Sequence, residues 1–193
     1  MLLNLVLARM SPTQKKDAAA ATPPPPLTLE AVYRDHFEFV YRKAARLGGP
    51  GFDAEDATQE VFLIVARKLH TFDGSSLVTT WLYGITLNVV RSIRRRLRLR
   101  RLFERAGDEV PDAPVRSLDR VELLQAHKIA YEILDKLAPK KREAFILAEF
   151  EGLSCEEIGQ LVGAKTETIW SRLHYARQEF SQKLELRQRR GRS

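Results

Sequence analysis

Ser154-Cys-Glu-Glu-Ile-Gly-Gln-Leu-Val-Gly163-Ala-Lys-Thr-Glu-Thr-Ile-Trp-Ser-Arg-Leu173 is the stretch that decides the fold. Ser154 and Glu157 stand in the S-x-x-E relation of a capping box, so a helix starts at Ser154 with two backbone donors satisfied reciprocally. Ile158, Leu161 and Val162 give that helix an apolar face, and Gly159 between them lets another helix come close. Gly163, able to take a left-handed conformation, ends it. A second helix restarts near Thr166, and Ile169, Leu173, Ala176 and Phe180, at i, i+4, i+7 and i+11, turn one stripe to the core. A short capped helix, a glycine turn and a longer anchored helix make a helix-turn-helix, whose second helix leaves its other faces free for base edges.

Those free faces carry Lys165, Glu167, Thr168, Trp170, Ser171, Arg172, His174, Tyr175 and Arg177. Arginine pairs with guanine or phosphate, glutamate accepts from cytosine N4, and threonine or an aromatic ring packs on a thymine methyl. An ordinary helical hairpin with a polar outer face is the plain alternative. Against it stands Trp170, because a tryptophan on a face expected to be exposed marks an interface.

Upstream, Leu118 to Leu137 reads as one amphipathic helix. Pro139 sits where a first-turn proline is tolerated, and a helix continues over Arg142 to Glu151 until Gly152. Residues 107–117 (GDEVPDAPVRS) have no periodicity and read as a linker. From Leu27 to about Arg105 the pattern is again helical. Thr28 caps a helix with Leu29, Val32, Tyr33, Phe37, Val40, Tyr41, Ala44 and Leu47 at three- and four-residue spacing, stopped by Gly48-Gly49-Pro50-Gly51. Asp53 opens a second helix, acidic in its first turn, with Ala57, Val61, Ile64, Val65 and Leu69 as its apolar face. After a loop at Thr71 to Ser76, a third helix carries Trp81, Leu82, Ile85, Val89 and Ile93 inward and passes without a stop signal into arginines. No segment alternates with period two, so the expected fold class is all-α, two small helical domains joined by a flexible linker.

Of 193 residues, 32 are Lys or Arg and 25 Asp or Glu, for a net charge of +7. Arg91, Arg94, Arg95, Arg96, Arg98, Arg100, Arg101 and Arg105 against Glu104 hold all of that excess. Charge so concentrated is a footprint for a polyanion such as nucleic acid, or else a solvated basic linker. The single cysteine, Cys155, closes no internal disulfide, and no apolar run reaches the roughly 20 residues of a membrane span, so a soluble protein in a reducing, cytoplasmic setting is expected. Residues 1–26 read as a disordered tail ending in polyproline, with no basic segment or cleavage site of a secretory signal, and Met10 competes with Met1 as the start. There is no Walker A loop, HExxH or C-x-x-C, no nucleophile beside a base, and His36, His70, His127 and His174 are scattered. No enzyme activity, catalytic residue, metal, cofactor or small-molecule substrate is therefore expected.

The chain resembles an extracytoplasmic-function (group IV) sigma factor of bacterial RNA polymerase over about Leu27 to Leu184. The resemblance rests on motifs in order: Asp53-Ala-Glu-Asp56-Ala-Thr-Gln59-Glu60-Val-Phe62; Phe72-Asp-Gly-Ser-Ser; Thr80-Trp81-Leu82 with Asn88 and Arg91 to Arg96; Leu137-Ala-Pro139-Lys-Lys-Arg142-Glu-Ala-Phe; Glu151-Gly152-Leu-Ser154; and Thr168-Ile-Trp-Ser171-Arg172-Leu173 with Ala176-Arg177. It implies a region 2 domain over 27–105 for core polymerase binding and -10 recognition, a linker over 106–119, a region 4 domain over 120–186 for -35 recognition, and a basic tail over 187–193. It implies core-polymerase contacts at Asp56, Gln59 and Glu60, which by spacing share one helical face; read without it, they are a solvated face favouring the helix dipole. It implies -10 contacts at Asp73, Gly74, Ser75 and Ser76, which would capture a flipped base, and at Trp81, Asn88, Arg91, Arg94 and Arg95. Trp81 is either a buried anchor under that loop or a wedge at the duplex junction.

For the -35 element the implied contacts are Lys165, Thr168, Trp170, Ser171, Arg172, Tyr175 and Arg177. A separate anti-sigma factor is the implied regulator. The family commonly has Gly, Lys and Arg where Glu167, Trp170 and Tyr175 stand, which leaves the promoter sequence open. Its linker threads the polymerase RNA exit path, with which Asp108, Glu109 and Asp112 are compatible. The rival readings are a dimeric helix-turn-helix repressor or activator, and a metal-dependent nuclease or recombinase using Asp53, Glu55, Asp56 and Glu60.

Overall fold

The computed structural model describes residues 27–103 and 118–190, and the expectations placed on the N-terminal tail, the linker 107–117 and residues 191–193 fall outside them. The described residues are helical with no strand among them, and they form two compact units.

The first unit packs α1 (Leu29–Gly48), α2 (Ala54–Lys68) and α3 (Val78–Phe103), with one 3-10 turn at Leu69–Thr71. Both capped starts are local. The Thr28 hydroxyl accepts from the Ala31 amide at 3.2 Å, and the Asp53 carboxylate accepts from the Asp56 amide at 2.9 Å, each cap being worth about 1 kcal/mol. Val32, Val40 and Leu47 of α1, Ala57, Val61 and Val65 of α2, and Leu82, Val89 and Val90 of α3 form the core. Thr58 and Thr86 are buried as well, their hydroxyls donating to the carbonyls of Ala54 and Leu82, one turn back. The expected inward stripes are narrower than spacing suggested. Ile64, Leu69, Trp81 and Ile93 are only half-buried, because they lie at the edges of their apolar faces, whereas Phe62 is buried, stacked on Phe37 and tilted against Tyr33.

The second unit contains α4 (Leu118–Leu134), α5 (Pro139–Phe145), α6 (Cys155–Val162) and α7 (Thr166–Arg190). Two expectations are corrected. The helix from Leu118 ends at Leu134, not Leu137, where tighter bonds from Lys136 to Ile133 and from Leu137 to Leu134 close the last turn ahead of Pro139. The helix expected over Arg142 to Glu151 starts with Pro139 and widens over Ile146–Phe150 into a π turn, with the Glu151 amide on the Ile146 carbonyl at 3.2 Å. Ile146, Leu147 and Phe150 are buried there, and Phe145 stacks on Phe180 of α7 with ring centroids 4.8 Å apart. Arg142 is buried beside them, its Nε donating to Asp135 at 2.9 Å and its guanidinium lying over Tyr131. α7 runs through residues 187–190, past the expected domain end at 186, and Arg187 pairs with Glu132 of α4.

Candidate nucleic-acid and partner interfaces

The capping box at Ser154 is present in both directions, with the Glu157 amide on the Ser154 hydroxyl at 3.2 Å and the Ser154 amide on the Glu157 carboxylate at 2.8 Å. α6 ends at Gly163 with φ +66°, the left-handed conformation that glycine adopts without a side-chain clash. The turn then passes close over Gly159, where a Cβ would stand 2.7 Å from the Ala164 carbonyl oxygen. Absence of side chains at these two positions therefore sets how α6 meets α7.

On α7, Ile169, Leu173, Ala176 and Phe180 are all buried, as their spacing requires. Lys165, Thr168, Trp170, Ser171, Tyr175 and Arg177 are exposed and Arg172 is half-buried. Trp170 lies parallel to His174 one turn on, with planes 3° apart and centroids at 6.0 Å, and Tyr175 meets the edge of His174. Two links that spacing did not suggest tie this face to α5 and its continuation. The Arg177 Nε donates to Glu149 at 2.7 Å, and Lys141 pairs with Glu179 at 2.5 Å while its ammonium lies over the Tyr175 ring.

In the first unit, Asp56 and Gln59 are exposed on α2 and Glu60 is half-buried beside them. Leu63, 58% exposed, stands one turn along the same face and was missed by sequence reasoning. Its signal was available, since it follows Gln59 at i+4 and Glu60 at i+3.

The loop Asp73 to Leu77 is exposed throughout. Hydrogen bonds from the Ser75 side chain and from the Ser75 amide, the latter at 2.9 Å, hold the Asp73 carboxyl below the usual carboxylate range. Gly74 takes φ +74° with open space where a Cβ would be. Trp81 packs on Phe72 with centroids 5.1 Å apart and is half-buried.

The arginine run divides by direction. Asn88, Arg91 and Arg95 follow Trp81 along the outer face of α3, and Arg91 donates to the Asn88 side-chain oxygen at 3.2 Å. Arg94 is half-buried instead, its Nη1 donating to the Gly48 carbonyl at 2.5 Å, so it binds the end of α1. Arg96 turns to α2 and pairs with Glu60 at 3.2 Å. This division follows from the 3.6-residue period, which carries consecutive arginines to different sides of one helix.

Among the described residues, no three His, Cys, Asp or Glu side chains could hold a metal ion, and no helix is long and apolar enough to cross a membrane. Of the four carboxylates of the nuclease reading, Asp53 caps α2 and Glu60 is paired with Arg96.

Sigma-70 region 2 matches residues 32–100 and sigma-70 region 4 matches residues 127–180. The ECF RNA polymerase sigma factor SigE of Mycolicibacterium smegmatis is 35% identical over 155 residues, covering 78% of this chain and 59% of that one. The RNA polymerase sigma-H factor of Pseudomonas aeruginosa is 30% identical over 147 residues, covering 69% of this chain and 74% of its own. The fold is similar to that of the Bartonella quintana sigma factor RpoE, solved with the anti-sigma factor NepR (TM-score 0.61, 24% identity, 81% of this chain and 96% of that one). It is also similar to CnrH, solved with the cytosolic domain of CnrY (TM-score 0.56, 23% identity, 82% and 88%). With both sigma regions in order and relatives of this closeness, the chain belongs to the extracytoplasmic-function branch of the sigma-70 family, DNA-binding regulators that join core RNA polymerase and direct transcription initiation at promoters.

Proposed function

We propose that this chain binds core RNA polymerase and directs it to a promoter by reading a -35 and a -10 element. The observation that carries the reading is the geometry at Gly159 and Gly163, which presents the polar and aromatic face of α7 away from its own core. The division of labour follows the expected domains, adjusted for α4 starting at Leu118 and α7 ending at Arg190, with residues 27–105 for polymerase and -10 DNA, 106–117 as linker and 118–190 for the -35 element.

Asp56, Gln59 and Glu60 contact core polymerase, and Leu63 adds an apolar anchor to the same face. Asp73, Gly74, Ser75 and Ser76 receive an unstacked base of the -10 element, with Trp81 supporting the loop from below. Asn88, Arg91 and Arg95 hold the DNA beside it, while Arg94 positions α3 against α1. Lys165, Thr168, Trp170, Ser171, Arg172 and Tyr175 face the major groove, with Arg177 braced at its edge by Glu149. The chain acts in the cytoplasm as a specificity subunit without chemistry of its own, which belongs to the polymerase. A separate anti-sigma factor restrains it, a role supported by the partners of RpoE and CnrH in their solved complexes.

Run-off transcription with purified core polymerase on genomic fragments tests this reading. Discrete transcripts that require the added chain are expected; transcripts identical with and without it would overturn the proposal.

A further inference from the structure

We propose that α7 selects its upstream element through thymine methyls and cytosine amino groups and not through arginine on guanine, an inference that rests on the function proposed above. Buried Ile169, Leu173 and Ala176 fix which side of α7 faces the core. Over the first three turns the opposite side carries Glu167, Ser171, His174 and Tyr175, all exposed and none a lysine or arginine. The N-terminal turns of such a helix meet the base edges, so this is the face that reads.

The cations nearby are directed elsewhere. Arg177 donates to Glu149 at 2.7 Å, and Lys141 pairs with Glu179 at 2.5 Å. Lys165 precedes the helix and Arg172 lies half-buried at the margin of that face, so neither stands at its centre. A bidentate fork on guanine O6 and N7 therefore has no donor on the central face.

Beside the small Ser171 hydroxyl and the His174 ring, that face offers the Glu167 carboxylate as an acceptor and the Tyr175 ring, with Trp170 at its edge. Glu167, in the first turn, matches the cytosine N4 donor. Trp170 and Tyr175 are 65% and 51% exposed on either side of Ser171. Both rings are held before DNA arrives. Trp170 is stacked on His174, and Tyr175 lies between the His174 edge and the Lys141 ammonium, 5.4 Å from its centroid. The thymine 5-methyl is the most prominent apolar group a base pair presents in the major groove, which makes it the favoured partner of rigid exposed rings there. Burying one methyl at roughly 0.8 kcal/mol corresponds to about fourfold in affinity.

The test uses the full chain with core polymerase and promoter-length duplexes randomised across the upstream half. Enriched elements should lose about fourfold in binding for each selected thymine replaced by deoxyuridine. Trp170→Ala and Tyr175→Ala should bind the thymine and deoxyuridine duplexes alike, while Trp170→Phe, which keeps a ring, should retain the difference. Glu167→Ala should erase any preference for cytosine. Deoxyuridine bound as well as thymine would overturn the inference and leave the function standing, as would binding that collapses when guanine is replaced by 7-deazaguanine. No enrichment of any sequence would remove the function reading and this inference together.

Discussion

Arg96 of α3 reaches Glu60 of α2, its Nη2 3.2 Å from one carboxylate oxygen and 3.4 Å from the other. The pair joins a residue of the cationic run to a residue of the acidic face proposed to meet polymerase. Both side chains are substantially exposed, so the pair stabilises the fold by no more than about 1 kcal/mol.

Glu60→Ala should therefore leave the melting temperature nearly unchanged while weakening association with core polymerase. The charge reversal Glu60→Arg with Arg96→Glu restores an ion pair but not the acidic face, so it should stay as defective as the single variant. Quantitative co-purification with core polymerase decides the matter; rescue by the reversal would assign Glu60 to folding alone.

Gly159 and Gly163 should respond to alanine for different reasons. At Gly159 a Cβ meets a backbone carbonyl at 2.7 Å that cannot turn aside, so Gly159→Ala should cost about 1–3 kcal/mol of overpacking. At Gly163 there is open space, and only the positive φ opposes a side chain, at about 1–2 kcal/mol. Gly163→Asn, which tolerates that conformation, should recover part of the loss, whereas no substitution should rescue Gly159. Thermal unfolding followed through amide signals of the second unit measures both, and equal rescue at the two sites would contradict this account.

His127, partly buried on α4 against Tyr131, has its imidazole held below the ordinary histidine range by desolvation. A depressed histidine binds protons more readily when unfolded, so its contribution is fully present above the unfolded value near 6.5 and is lost as pH falls below it. Stability of the second unit should decline between pH 7 and 5, and His127→Gln should flatten that decline. An NMR titration placing the ring above 6.5 would remove the effect.

Arg94 and Arg95 are adjacent in sequence yet should behave differently. Arg95→Gln removes an exposed cation and should lower the log–log salt slope of promoter binding by about one unit. Arg94→Gln removes a donor from the Gly48 carbonyl and should lower thermal stability while leaving the slope nearly unchanged. The opposite pattern would mean that Arg94 releases the carbonyl and turns to DNA in the complex.

What was legible in the sequence was what short range determines. The Thr28, Asp53 and Ser154 caps, the left-handed Gly163 and the stripe from Ile169 to Phe180 each depend on residues a few positions apart, and the structure has them all. The partners of Arg94, Arg96 and Lys141 lie 46, 36 and 38 residues away and follow from packing, which periodicity does not encode. Leu63 differs from these, since its i+3 and i+4 spacing from Glu60 and Gln59 already placed it on their face. The π turn at Ile146–Phe150 escaped notice because its apolar spacing is equally that of an ordinary helix.

α3 has the mechanics of a cantilever. Its buried residues end at Val90, yet the helix runs on to Phe103, and from Arg95 to Arg100 every side chain is exposed. At 1.5 Å per residue the whole beam is about 39 Å long, packed into the three-helix core as far as Val90 and tied just beyond it by Arg94 to Gly48 and by Arg96 to Glu60. Like charges at Arg91 and Arg95, Arg94 and Arg98, and Arg96 and Arg100 strain the projecting half by a few tenths of a kcal/mol per pair. A row of phosphates laid along it would remove that repulsion, so nucleic acid bound there would also stiffen the projecting half.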